Sequence, residues 1–293
     1  MNYKELEKLF IEGEFDQCIE QGEEYLLDNP QDIDVLLLTA ASYHDRAFEY
    51  GHLAAYDAIQ KHMIPYLKRI LYYQPNHLEA LYNLLYYPLG NQLALEKIGS
   101  RKKHLTQANR EEYLDYAERL TREPSNRISG YEFLIKIHEI LNDHKDLLKS
   151  LGEAIAFFQE EFKISRDLRD QHVSKNWIKK IYLLDRTGLV NRTDLIAMIE
   201  IGIDHFVSPN DIQYLDLAEI AYEGKGWDIS LKILLKLINR GNDNPQLINA
   251  YKKWYQRFQE QIDLGYQHPD VFYFQLTVER NFPESFDIPE DFY

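Results

Sequence analysis

The sequence is poor in cysteine and has no long apolar runs. Cys18 is the only cysteine among 293 residues, so the chain can form neither an internal disulfide nor a cysteine-rich zinc site. No apolar run approaches the ~18 residues that a helix needs to cross a bilayer. The first residues, 1–7, lack the apolar segment of a signal peptide. Together these absences predict a cytoplasmic protein without a membrane span.

Basic residues are also few. The chain has 33 Lys and Arg against 48 Asp and Glu, a formal net charge of −15. Proteins that bind nucleic acid normally carry a basic patch or stripe, so this balance argues against a phosphate-backbone ligand. Eleven of the acids and two of the bases fall within residues 1–34. This acidic segment is either a solvated cap at the open end of a repeat array or a surface that steers a basic partner.

Catalytic and metal-binding motifs are lacking as well. None of the ten histidines falls in an H-E-x-x-H pattern, and the one Glu-x-x-His match, at 49–52, lies in an expected loop. Gly224-Lys225-Gly226 lacks the first glycine of a phosphate-binding loop. We therefore expect no catalytic residues, no metal and no cofactor. An enzyme with an unrecognised site remains the alternative.

Apolar residues recur at helical spacing in nearly every segment. Tyr3, Leu6 and Phe10 share one helical face, and residues 35–43 are almost all apolar, which indicates a helix buried on most sides. No segment shows the sustained two-residue alternation of a strand. We predict an all-α fold. Beyond the first three helices, the predicted helices are 52–73, 77–87, 92–103, 108–122, 128–141, 144–162, 168–186, 192–206, 210–223, 227–240, 245–263 and 268–280.

Prolines punctuate these helices at intervals. Those that follow amphipathic runs are Pro30, Pro75, Pro124, Pro209 and Pro245, spaced 45, 49, 85 and 36 residues apart. Proline stops a helix because its ring cannot continue the hydrogen-bond ladder. The spacing predicts a helical-hairpin repeat with a loose period. Pro65 falls inside the predicted helix 52–73, so we expect a break or kink near residues 62–64.

Two segments resemble tetratricopeptide repeats. Near 1–34, Gly13-Glu14-Phe15 resembles the Gly-Asp-Tyr turn between the two helices of a repeat, and Cys18 occupies its small-residue position. Tyr25-Leu26 and Pro30 fit the end of the second helix. The segment near 210–243 matches better. Its matching residues are Tyr214, Leu217, Ala218, Ala221, Gly224, Trp227, Ser230, Leu234, Leu237 and Ile238.

The resemblance covers about half of the chain. Weaker matches start at Leu36 and Leu81, Glu5 stands where a leucine is expected, and residues 143–206 carry no signature. The resemblance implies a right-handed α-solenoid of antiparallel helix pairs with about 12–14 helices, filling residues 1–280 as a single domain. Another α-solenoid or an irregular helical domain is the alternative. Residues 281–293 form an acidic, aromatic tail that is docked, free or a short motif read by a partner.

The resemblance also implies a function, because such folds commonly bind partners on their concave side. Tyrosine, which is enriched at interfaces, occurs 22 times. Any single tyrosine is more simply explained by packing between helices, and the set as a whole less so. The family register, carried over by position, puts these residues on the concave face: Asp34, Leu37, Ala41, His44, Asp45, Glu79, Tyr82, Tyr86, Tyr131, Ile135 and His138.

We therefore expect a non-catalytic protein-interaction module. Its partner would be a protein or peptide, with a basic one as an option, and neither a nucleic acid nor a membrane. The alternative is an immunity-type or chaperone protein that neutralises a basic toxin or effector. The oligomeric state does not follow from the sequence.

Overall fold

The computed structural model describes residues 3–49, 51–97, 99, 103–160, 165–205, 211–224, 226–238, 249, 251–256 and 260. These residues contain thirteen α-helices with defined bounds, one π-helical turn and one 3₁₀ turn. Residues 249, 251–256 and 260, within the predicted helix 245–263, are also helical, and no strand occurs among the described residues. The all-α prediction is thus confirmed for the described part of the chain. The chain divides into two compact units, 1–150 and 151–293, and each is described by itself.

The first unit contains most of the helices. They are α1 (Tyr3–Ile11), α2 (Phe15–Asp28), α3 (Ile33–Phe48), α4 (His52–Ala58), a π-helical turn (Ile59–Met63), α5 (Ile64–Tyr73), α6 (Leu78–Lys97), a 3₁₀ turn (Gln107–Asn109), α7 (Arg110–Arg122) and α8 (Arg127–Leu141). Helix α9 (His144–Glu160) begins in this unit and ends in the second. The second unit continues with α10 (Arg166–Thr187), α11 (Arg192–His205), α12 (Asp211–Glu223) and α13 (Trp227–Ile238). The predicted helix 268–280 and the tail 281–293 lie outside the described residues.

Several helices pack chiefly against the next helix along the chain, as in helical hairpins: α2 against α3, α6 against α7, α7 against α8 and α12 against α13. The two best-matching segments share a detail of this packing. The thiol of Cys18 in α2 points at the carbonyl of Leu6, 3.5 Å away, and the hydroxyl of Ser230 in α13 donates to the carbonyl of Ala218 at 2.8 Å. In both hairpins a small buried residue contacts a backbone carbonyl twelve positions earlier. The small-residue position of the motif is thus explained by close helix approach.

Pro65 ends an irregular stretch, as expected. The segment Ile59–Met63 is a π-helical turn, in which the N–H of Ile64 donates to the carbonyl of Ile59. Pro65 then falls in the first turn of α5, where its missing N–H leaves no helical hydrogen bond unmade. The turn buries Ile59 and Met63 almost completely.

The prediction of separate helices at 77–87 and 92–103 was wrong, because α6 runs through Pro88 without a break. Pro88 cannot donate to the carbonyl of Leu84, which removes one hydrogen bond from the helix. The residues on either side of it, Leu84, Leu85 and Leu89, are at most 3% exposed in the core of the first unit. Burial of this apolar face outweighs the lost bond.

The main core of the first unit draws residues from α1, α2, α3, the π-helical turn, α5, α6, α7 and α8. Its most deeply buried members include Leu6, Leu36, Leu67, Ile70 and Leu81, each at most 1% exposed. Helix α3 contributes residues around its circumference, in line with its nearly continuous apolar sequence. None of the described helices is both long enough and apolar enough to span a membrane.

Candidate functional site

A pocket of about 320 Å³ lies between α1, α3, the π-helical turn with α5, and α6. Tyr3 and Phe10 line it from α1, seven residues apart on one helical face. The wall from α6 repeats every four residues, as Glu79, Asn83 and Tyr87. The remaining lining residues are Asp34, Leu37, Leu38, Ala40, Ala41, Met63 and Leu67.

The floor of the pocket is apolar and its rim is acidic. Met63 and Leu67 at the floor are each 1% exposed. Asp34 and Glu79 are exposed and supply the only charged groups of the lining. Neither carboxylate forms a hydrogen bond or an ion pair with another residue in the described ranges. Both carboxylates act on the neighbouring Tyr3. Burial is the main cause of the raised pKa of its hydroxyl, and the negative charges of Glu7, Asp34 and Glu79 raise this pKa further.

A row of aromatic rings runs from α3 across α6 to α8 and meets the pocket at Tyr87. We call it the aromatic row; its members are Phe48, His44, Tyr87, Tyr86, Tyr82 and Phe133. Neighbouring ring centres are 4.1 to 5.4 Å apart. Tyr82 and Tyr86 stack nearly parallel at 17°, and Tyr86 is 52% exposed. The row therefore presents a ring surface to solvent beside the pocket.

The structure brings most of the sequence-predicted site residues together. Asp34, Leu37, Ala41 and Glu79 line the pocket, while His44, Tyr82 and Tyr86 belong to the aromatic row. Asp45 is beside it, with a carboxylate oxygen 2.7 Å from Nδ1 of His44.

Three predicted residues lie elsewhere. Tyr131 is half-buried against the core of the first unit, and Ile135 is buried. His138 is only 4% exposed, so it offers almost no surface to a partner. These three residues belong neither to the pocket lining nor to the aromatic row.

His138 instead lies in a polar cluster with Asp143 and Asp146, whose potential ligand atoms are within 4.8 Å of one another. Arg110 occupies both carboxylates, at 2.9 Å from Asp143 and 2.6 Å from Asp146. Burial lowers the pKa of His138, and the two carboxylates partly offset this effect. Because the Arg110 guanidinium already pairs with both carboxylates, we interpret the cluster as a structural link between α7, α8 and α9.

Sequence reasoning missed several residues of the site. Tyr3, Phe10, Met63, Asn83 and Tyr87 line the pocket but were not predicted. The family register selected the Glu79–Tyr82–Tyr86 stripe of α6, whereas the pocket uses the adjacent Glu79–Asn83–Tyr87 stripe. The spacing of four residues was a usable signal for α6. No signal in the sequence places α1 against α6.

Comparisons with known proteins add little. No family model matches the chain, and no curated protein matches it. Among solved structures, a tetratricopeptide repeat protein from Parabacteroides merdae is similar at 12% identity and a TM-score of 0.36, covering 87% of this chain and 84% of that one. A likeness at this level carries no argument about the site, whose interpretation depends on the geometry above.

Proposed function

We propose that the protein is a non-catalytic interaction module that holds a segment of a partner protein against the pocket and the aromatic row. The observation that carries this proposal is the junction of the two at Tyr87, where a pocket with a buried apolar floor and an acidic rim adjoins stacked, partly exposed rings. Aromatic side chains beside a pocket are typical of the anchoring centre of protein interfaces.

The chemistry of the pocket supports binding over catalysis. Its lining contains no serine, threonine, cysteine, histidine or lysine, so it lacks the side chains of a serine–histidine, cysteine–histidine or lysine-dependent catalytic site. The polar groups present are two carboxylates, an amide and two tyrosine hydroxyls. The single cysteine, Cys18, is buried, and the inability to form an internal disulfide supports a cytoplasmic location.

The test is site-specific photo-crosslinking. Tyr86 is replaced by p-benzoylphenylalanine, and the protein is irradiated in an extract of the cells that produce it. The matched control places the same residue at Tyr72 of α5, which is 81% exposed. We expect one predominant partner to be crosslinked from position 86 and not from position 72. Equal crosslinking from both positions would refute the proposed surface.

A paired substitution tests the same surface without crosslinking. Tyr82→Ala with Tyr86→Ala removes two stacked rings of the aromatic row, and we expect affinity for the crosslinked partner to fall by about 2 kcal/mol, or some 30-fold. Tyr72→Ala removes an exposed tyrosine of α5 whose ring lies 5.3 Å from that of Tyr73, and it is expected to leave affinity unchanged. Far-ultraviolet circular dichroism of each variant checks that helicity is retained.

A second candidate function is neutralisation of a basic toxin or effector, as an immunity-type or chaperone protein. The rim carboxylates, which have no partner among the residues that the structure describes, and the net charge of −15 favour it. In that case the partner is a basic protein held in a stoichiometric complex that dissociates at about 0.5 M salt. A partner that remains bound at that salt concentration would exclude this candidate.

A further inference from the structure

We propose that the pocket recognises a partner segment in which an apolar side chain is flanked by lysine or arginine, with the apolar side chain on the floor and the cations at the rim. This inference depends on the proposed function and names the chemistry that the same site selects. A cavity of about 320 Å³ is at the small end of ligand pockets and suits one or two side chains.

The floor selects for an apolar group. Met63 and Leu67 are buried, and Leu38 and Ala40, which join them in the lining, are at most 9% exposed. A polar tip seated there would lose its water without gaining a hydrogen bond, at a considerable cost. Met63 is the last residue of the π-helical turn, and its flexible, polarisable side chain can adapt to the shape of an occupant.

The rim selects for positive charge. Several acidic groups of the first unit pair with a residue of another helix: Asp16 with Arg46, Glu112 with Lys68, and Glu23 with two tyrosine hydroxyls. Asp34 and Glu79 have none among the described residues, and the pocket lining contains no base. Lysine or arginine side chains of the partner would form ion pairs with these two carboxylates.

The walls favour the same occupant. Tyr3, Phe10 and Tyr87 present aromatic rings around an acidic rim, and aromatic faces attract lysine ammonium and arginine guanidinium groups. An anionic segment would meet two carboxylates with no compensating base. A neutral segment would form no ion pair with the carboxylates, so its binding free energy would come only from apolar contact with the pocket floor.

The experiment uses the full-length protein labelled with ¹³C at its methionine methyl groups, of which the chain has three. Met63 lies on the pocket floor, and Met198 in α11 of the second unit serves as an internal control. Met63→Leu and Met198→Leu assign the two signals. The added peptides vary charge and anchor separately: acetyl-Lys-Leu-Lys-amide, acetyl-Gln-Leu-Gln-amide, acetyl-Glu-Leu-Glu-amide and acetyl-Lys-Gly-Lys-amide.

The expected result is a saturable shift of the Met63 signal by acetyl-Lys-Leu-Lys-amide, with a Kd on the order of 1 mM for so small a ligand. The glutamine peptide should bind about tenfold more weakly, because it lacks both ion pairs. The glutamate and glycine peptides should not shift Met63 measurably. The signal of Met198 should not move with any peptide. At about 0.5 M salt the lysine and glutamine peptides should bind alike.

Two pairs of variants locate the charge recognition. Asp34→Asn with Glu79→Gln should reduce binding of the lysine peptide to that of the glutamine peptide and leave the latter unchanged. Glu20→Gln with Glu24→Gln removes the same charge from exposed positions of α2 and should change neither. All four side chains are exposed, so the fold should be retained, and thermal unfolding of each variant verifies this.

Three results would overturn the inference. Equal binding of the lysine and glutamine peptides would remove the role of the rim. Leucinamide, which has a free ammonium group and no flanking lysine, serves as a further ligand. If it binds as tightly as acetyl-Lys-Leu-Lys-amide, the pocket recognises an N-terminal ammonium group and not flanking side chains. Absence of any Met63 shift would refute the pocket even if crosslinking at Tyr86 succeeded, in which case the proposed function would stand without it. Failure of the crosslinking would refute the function itself.

Discussion

At the scale of single residues, the many tyrosines and the many acidic residues are linked, because several tyrosine hydroxyls donate hydrogen bonds to carboxylates. The hydroxyls of Tyr43 and Tyr66 both donate to Glu23, at 2.6 and 2.9 Å, and Tyr182 donates to Asp216 at 2.9 Å. Burial raises the pKa of these tyrosines, and the carboxylate partners raise it further. The sequence alone could not reveal the pairs, because their partners are 20 to 43 positions apart.

His104 makes the stability of the first unit depend on pH. Its ring is 2% exposed, contacts Gln60 through Nδ1, and packs against Tyr56 at 4.4 Å; among the described residues Nε2 has no hydrogen-bond partner. Burial lowers its pKa from 6.5 to about 4. The folded state thus favours the neutral ring, so this stabilisation is complete above pH 6.5 and is lost as the pH falls toward 4.

We predict that His104→Gln reduces this pH dependence. Between pH 8 and pH 5 the histidine should cost the wild-type protein about 2 kcal/mol of unfolding free energy, which the variant does not lose. The variant should be less stable at pH 8, since the packing around the ring changes, but its decline on acidification should be shallower. Urea unfolding of both proteins at the two pH values measures the difference. An identical decline would show that His104 is not the group responsible.

At the scale of secondary-structure elements, the sequence predicted where helices occur better than whether two neighbouring segments form one unbroken helix. Most helix boundaries fell within two residues of the observed ones because apolar spacing and proline punctuation act locally. The continuity of α6 through Pro88 depends on burial of Leu84, Leu85 and Leu89 against other helices, which is a tertiary effect. The π-helical turn before Pro65 was predicted as a kink, without its hydrogen-bond type.

Close approach of α7 and α8 depends on Gly130. A Cβ atom added there would lie 2.6 Å from the backbone nitrogen of Thr121, a contact that requires the helices to separate. We predict that Gly130→Ala lowers the unfolding free energy by about 2 kcal/mol. The matched control is Gly90→Ala within α6, where no atom lies within 4 Å of the added Cβ. That substitution should instead stabilise by about 0.5–1 kcal/mol, because alanine is the better helix former.

Urea unfolding at neutral pH compares these two glycine variants with the wild-type protein. Opposite signs are the expected outcome, since the same chemical change meets a backbone atom in one helix and open space in the other. A neutral or stabilising effect of Gly130→Ala would contradict the packing described for α7 and α8.

At the scale of the whole molecule, the candidate site cannot be predicted by considering one helical hairpin at a time. The family register is a property of one hairpin, and it found Asp34, Leu37 and Glu79 because these belong to successive first helices. The pocket also needs Tyr3 and Phe10 from α1 and Met63 from the π-helical turn, and their convergence is set by how the hairpins stack. The same stacking buries His138, which the register had assigned to the surface.

The acidic segment 1–34 has two interpretations, a solvated cap or a surface that steers a basic partner, and the structure identifies the residues whose substitution distinguishes them. Glu20, Glu24 and Asp28 are exposed, spaced four residues apart on α2, and have no partner among the described residues. Asp34 and Glu79 are at the pocket rim. Fixed charges act over about 8 Å at physiological salt, so charges away from the contact surface should contribute little to a bound complex.

We predict that neutralising Glu20, Glu24 and Asp28 to their amides changes partner affinity less than about twofold, although it removes more charge than Asp34→Asn with Glu79→Gln, which should weaken binding at least about fivefold. Capture of the crosslinked partner by each variant at about 0.05 M and about 0.5 M salt, quantified by mass spectrometry, makes the comparison. If the α2 variant loses as much affinity as the rim variant, the acidity of the whole N-terminal segment steers the partner. If only the rim variant loses affinity and its salt dependence, α2 is a solvated cap and recognition of charge is local to the pocket.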